Sequence, residues 1–287
     1  MATALRAIER ILEPETVMEG AGVRLQRSIG TQTLDYLDPF LLLDHFESED
    51  RRDYEAGFPL HPHRGIETVT YVLKGSVSHK DTMGNAGIIG PGDVQWMTAG
   101  RGLLHEEMPQ VGPEGIAGFQ LWVNLPAKLK MTTPQYQEVR SETIPEHRTK
   151  DGARIRVIAG TVDGTTGPVK EIAAAPNYLD VSVPANTAFT HPIQQGHTAF
   201  AYVFEGDAQF VSAAGNEGTP VAHPRLVVLG DGDQLKVQTG DRPVRFLLVS
   251  GKPLGEPIAR YGPFVMNTKE EIEQTLLDLR RGTFITS

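Results

Sequence analysis

No cysteine occurs in the 287 residues. That absence removes a disulfide framework, a thiolate nucleophile and any sulfur ligand for zinc or an iron–sulfur cluster. A metal, if bound, has to rest on histidine and carboxylate. Also missing is any run of the ~20 apolar residues that a membrane span requires. Arg6, Glu9 and Arg10 interrupt the stretch where a secretory leader would need its apolar core. The expectation is a soluble, cytoplasmic protein with no membrane partner. Positive charge is in deficit, 27 Lys and Arg against 36 Asp and Glu, for a net charge of −9. Such a surface repels phosphate backbones, so direct binding of nucleic acid is not expected.

Turns and short apolar runs are plentiful. Thirty glycines and twenty prolines are spread between segments such as Phe40-Leu41-Leu42-Leu43 and Glu67 to Leu73, the latter rich in β-branched and aromatic residues. The pattern predicts an all-β chain. Residues 2 to 13 fit a short amphipathic helix or an entering strand equally well, and Glu47 to Glu55 reads as a charged surface loop. Composition turns polar from Val139 to Gly152, which suggests a linker and a division into 1–147 and 148–287. The chain ends in one helix, with Thr268 and Glu271 as a capping box, Ile272, Leu276 and Leu279 as its apolar face, and Gly282 as its stop.

One stretch, Phe58 to Glu107, concentrates metal-binding side chains. His61 and His63 form one pair, His105 and Glu107 another, each with its members two residues apart. On a strand, residues i and i+2 share a face roughly 6.6 Å apart along the chain. A helical zinc site would need a second histidine four residues on, and position 109 is proline. The two pairs are therefore expected on neighbouring strands of one concave sheet, facing the inside of an antiparallel barrel.

The sequence also repeats. Tyr71-Val72-Leu73-Lys74-Gly75 recurs as Tyr202-Val203-Phe204-Glu205-Gly206, Gly84-Asn85 recurs at the same offset as Gly215-Asn216, and Gly92-Asp93 recurs as Gly232-Asp233. A duplicated barrel follows. At matching offsets His61, His63, His105 and Glu107 become Pro192, Gln194, Arg245 and Leu247, so a single metal site in the first half is expected. His191 and His197 lie near the corresponding loop without a partner pair.

The motifs HPHRGIETVTYVLKG (61 to 75), PGDVQWMTAGRGLLHEEMP (91 to 109), FQLWVN (119 to 124) and GPFVMNTKEEI (262 to 272) resemble the pirin family of the cupin superfamily, across nearly the whole chain. The resemblance implies a bicupin: two cupin-type antiparallel β-barrels with a C-terminal helix. It further implies one divalent metal, Fe(II) first and Ni, Mn, Cu or Zn compatible with the same donors, held by His61, His63, His105 and Glu107. Other cupins take their carboxylate from the first motif, where Glu67 stands on the same parity as the histidines; Glu67 is the rival fourth ligand. The family's activity suggests oxidative opening of flavonols such as quercetin by dioxygen. Glu107 would then be the catalytic proton carrier, and Phe58, Gln120 and Trp122 would form the pocket wall. A second implication is a metal- or redox-dependent regulator that binds other proteins, with Arg64 and the Glu47 to Glu55 loop as the face. His45, His79, His147 and His223 are expected in solvated positions.

Overall fold

The computed structural model describes residues 4–212 and 218–285. Its ladders are antiparallel, and among the described residues the single α-helix is Lys269–Arg281. The chain divides into two compact units. One comprises Glu15–Ser141 with the chain from Leu254 onward; the other comprises the chain up to Pro14 with Glu142–Pro253. The boundary between Ser141 and Glu142 falls inside the polar stretch expected as a linker. The linear division at 147/148 needs correction at both ends, because each terminal segment belongs to the unit distant from it in sequence.

The reasons are local. Ile8–Leu12, the segment with two readings, is a strand, and it pairs with Arg225–Leu229. Arg6 ahead of it is buried, donating from Nη1 to the carbonyls of His197 and Gly230, both at 2.9 Å. At the other end, the terminal helix begins and ends as its capping residues dictate. Thr268 Oγ1 accepts from the Glu271 N–H, the Glu271 carboxylate accepts from the Thr268 N–H, and Gly282 adopts φ 70°. Ile272 and Thr275 face inward, whereas Leu279 is exposed, so the apolar face is narrower than expected. Arg64 holds this helix, donating to Asp278 Oδ2 at 2.7 Å and to Thr275 Oγ1 at 3.2 Å. Its guanidinium carbon lies 4.5 Å from the centre of the Phe284 ring. Arg64 is thus buried and engaged, and not available as part of a recognition face.

In the unit of residues 15–141, a seven-stranded sheet runs in the order Gln135–Val139, Val94–Thr98, Ile66–Lys74, Ile116–Asn124, Phe40–Ser48, Val23–Ile29 and Glu15–Glu19. A four-stranded sheet runs Phe58–His63, Leu103–Gln110, Ser76–Asp81 and Ala86–Ile89. The Glu47 to Glu55 segment continues the strand as far as Ser48, turns through Arg51–Asp53, and buries Tyr54. The other unit is a ten-stranded sheet system packed around Val157, Leu179, Val181, Phe189, Phe210 and Phe246. There Tyr202 and Val203 lie buried in mid-strand, as Tyr71 and Val72 do in the first unit. Gly215-Asn216 lies outside the described residues.

Candidate metal centre

Phe58–His63 and Leu103–Gln110 run antiparallel, with His105 directly opposite His61 and Leu103 opposite His63. That register brings three imidazoles from two strands onto one face. One ring nitrogen from each lies within 4.8 Å of the other two, and the His61 and His63 Nε2 atoms are 3.0 Å apart. His61 is oriented through Nδ1, 3.0 Å from the Pro59 carbonyl oxygen. His63 and His105 are buried; His63 is held by the backbone at Pro263, whereas both ring nitrogens of His105 lack a protein partner.

Buried polar atoms without partners cost about 1–3 kcal/mol each, so the orphaned ring nitrogens of buried His105, converging with His61 and His63, fit an ion better than they fit an empty space. Nitrogens bound at about 2.1 Å and at right angles around one ion stand about 3.0 Å apart, the separation seen between His61 and His63. Burial, with a smaller contribution from the neighbouring imidazoles, holds His63 and His105 well below the usual histidine range. Their lone pairs are thereby kept free of protons. A donor set of imidazole with carboxylate nearby and no sulfur suits a divalent transition metal.

Glu107 lines the same cavity but stands outside the histidine cluster. Its register against Phe58–His63 shifts after His105, so that Glu107 lies opposite Phe58; such an irregularity re-aims a side chain. Its carboxylate accepts from Thr70 Oγ1 at 2.6 Å and from Gln120 Nε2 at 3.0 Å. Glu67 is placed differently. The corner at Arg64-Gly65, where Gly65 takes φ 80°, passes the chain from the four-stranded to the seven-stranded sheet and resets the parity. Glu67 consequently shares a face with Val69 and Tyr71, opposite to Thr70, and accepts from Thr98 Oγ1 at 3.0 Å.

His61 and His63 line a cavity of about 490 Å³ whose wall also includes Phe58, Gln120 and Trp122, within the range of small-molecule sites. The Trp122 ring meets His63 edge-on at 5.1 Å between centres. Apolar side chains such as Val23, Leu25 and Phe46 form much of the remaining wall, and a charged group lies among them. Arg27 donates to both oxygens of Asp44, each at 2.8 Å, and to Glu19 at 2.8 Å. Burial opposes its charge, but the two carboxylates outweigh it and hold Arg27 above the usual guanidinium value.

Several residues escaped the reading of the sequence. His79 is buried, 5.5 Å from His105 between ring centres and stacked on Tyr136, with Nε2 3.5 Å from Asp81 Oδ2. The signal was present, since His79 and Asp81 repeat the i, i+2 spacing used for the other pairs. His45 is also buried, stacked on Phe119 at 4.7 Å. His147 is partly buried, 3.4 Å from Asp163, and His223 is exposed. In the second unit Arg245 is bonded to Asp180 and Leu247 is buried. Among the described residues the three-histidine group is the only such convergence of metal-binding side chains.

The model of the Pirin family matches residues 22–123, and that of the Pirin C-terminal cupin domain matches residues 178–285. A pirin-like protein of Caulobacter vibrioides is 43% identical over 98% of this chain and 99% of its own length. Human pirin is 45% identical over 92% of this chain and 89% of its own length. Among solved structures, a quercetin 2,3-dioxygenase from Acinetobacter baumannii superposes with a TM-score of 0.86. It is 34% identical, covering 98% of this chain and 99% of the other. Both units are cupin-type barrels.

Proposed function

The chain belongs to the pirin family, and from that premise we propose that it is a mononuclear metal-dependent dioxygenase that opens flavonols of the quercetin type. The observation that supports this reading is the convergence of three imidazoles, two of them in the wall of a largely apolar cavity. His61, His63 and His105 would hold the ion, Fe(II) in the first instance, with Glu107 as the carboxylate that completes the set. Bound there, the metal would supply Lewis acidity toward an ionised hydroxyl oxygen and a path for electrons to dioxygen.

The protein's own groups do the rest. Phe58 and Trp122 offer flat apolar surface to an aromatic ring and exclude water around it. Glu107, held in orientation by Thr70 and Gln120, accepts the proton of the substrate hydroxyl that points at the histidines. Thr70 and Gln120 hold one carboxylate oxygen each, which fixes the plane of the group that takes the proton.

The test is direct. Protein loaded with Fe(II) is expected to bleach quercetin while consuming dioxygen and releasing carbon monoxide in equal amounts. Glu107→Ala is expected to lose that activity by about 10²-fold or more, in line with removal of a positioned proton carrier. Metallated wild type that is inert toward flavonols but captures a protein partner in one oxidation state only would replace this reading with a regulatory one.

A further inference from the structure

Arg260 enters the cavity from the far end of the chain. It lies on Ala259–Tyr261, which pairs with Phe264–Met266 across the Gly262-Pro263 turn. The hairpin is anchored on its second strand: the Val265 N–H donates to the Arg64 carbonyl at 3.1 Å, and Lys130 Nζ donates to the Val265 carbonyl at 2.7 Å. This fixes the guanidinium of Arg260 over the Trp122 ring, 5.2 Å from its centre. The Trp122 ring centre is itself 5.1 Å from that of His63, so the cation stands within about 10 Å of the histidine cluster. Both groups are thus within reach of one planar aromatic lying on Trp122.

Charge around Arg260 is arranged unevenly. Arg27, the other arginine of the wall, is bound on both sides by Asp44 and Glu19. Arg260 has no such partner: among the described residues no carboxylate lies within 4.0 Å of its guanidinium. Its hydrogen bonds, from Nε to the Gly262 carbonyl and from Nη1 to the Leu41 carbonyl, are both long at 3.4 Å. Asp35, Asp44 and Glu19 act on it only at a distance. With Arg27, Asp44 and Glu19 locked together, Arg260 is the cation left facing the cavity with donors to give.

We propose that Arg260 is a specificity-determining residue, and that the cavity takes planar aromatics carrying an anionic oxygen group at the end remote from the histidines. The ligand lies along Trp122 with its hydroxyl end toward His61, His63 and His105, and its carboxylate or phenolate oxygens receive the open edge of the guanidinium. The inference rests on the reading of this cavity as a flavonol site and names the charge of the ligand that fits it.

The test uses metal-free protein and equilibrium quenching of tryptophan fluorescence, since Trp122 lines the cavity. The probes are 4′-carboxy-3-hydroxyflavone and its neutral 4′-carboxamide. Wild type is expected to bind the carboxylate about tenfold more tightly than the amide, as one charge-assisted contact allows. Arg260→Gln is expected to abolish that preference, so that the ratio of the two affinities falls to about one, and Arg260→Lys to restore part of it. Equal affinities in wild type, or a preference that survives Arg260→Gln, would overturn the assignment even if quercetin turnover is intact. If wild type binds neither probe and the metallated protein is inert toward quercetin, the flavonol reading falls and takes the assignment with it.

Discussion

Replacing Lys130 by methionine isolates the anchor behind the metal centre. Lys130 is buried, and its ammonium donates to three oxygens: the Gly65 carbonyl at 2.8 Å, the Val265 carbonyl at 2.7 Å and Asn124 Oδ1. These belong to the corner after His63, the return hairpin and the end of the strand that carries Trp122. Burial pushes the group down to about 7, against the pull of Glu256 and Glu271, yet three acceptors match the three donors of the charged form. Methionine fills the same volume, so no cavity term arises. The Gly65 carbonyl keeps a long bond from the Leu125 N–H at 3.4 Å, which leaves Asn124 Oδ1 and the Val265 carbonyl to lose a donor. At about 1–3 kcal/mol for each stranded acceptor, less the relief from no longer burying a cation, the expected loss is about 3 kcal/mol. Urea unfolding followed by tryptophan fluorescence is the assay, because Trp96 and Trp122 both lie in the histidine-bearing unit. The midpoint should fall with little change in slope. A Lys130→Met protein as stable as wild type would mean that the cost of burying the cation cancels its three bonds, and the reasoning would fail.

Other outcomes follow from the same geometry. Gly65→Ala places a Cβ against the Val265 carbonyl oxygen at a residue with φ 80°; a loss of about 2 kcal/mol or more is expected, together with weaker metal binding by equilibrium dialysis. Elemental analysis is expected to find about one equivalent of metal in wild type and to find it lost in His63→Ala; retention of a full equivalent in the variant would move the site elsewhere. Thr70→Val takes one hydrogen bond from Glu107 and should lower quercetin turnover by about tenfold with little change in KM. In the second unit, burial pushes His191 down to about 4. Because the unfolded chain protonates this group near 6.5 and the folded one near 4, the unfolded state binds more protons between these values. Stability of that unit should therefore decline by up to about 3 kcal/mol as pH falls from 6.5 to 4. Denaturation followed by circular dichroism across that window would be flat if the histidine were solvated.

The three histidines were legible because strand alternation is a local rule, and His61, His63 and His105 sit on regular stretches of two paired strands. The same rule misplaced Glu67, since a turn at Gly65 resets which side is which, and composition does not reveal that the corner changes sheets. Glu107 shows a second limit: the register shift after His105 is a property of the pairing, not of either strand alone. His79 shares the same spacing with Asp81, but in a polar context it reads as solvated, and polar surroundings say little about a strand that buries polar side chains. Arg260, Lys130 and Asp278 had no local signal. Their roles arise from contacts across chain separations such as those between Val265 and Lys130 or Arg64 and Asp278, and no periodicity encodes such pairings.

The terminal exchange between units has a consequence for biosynthesis. The segment holding His61, His63 and His105 leaves the ribosome long before Leu254, yet the structural unit it belongs to includes the chain from Leu254 onward. During elongation the histidines are present without the hairpin bearing Arg260 or the helix that clasps Arg64. Closing so distant a contact is slow compared with forming local strands. Until that closure the cavity wall lacks Arg260 and the corner at Arg64-Gly65 lacks its helix, so the histidine-bearing unit is expected to reach its final arrangement only once the whole chain has been made.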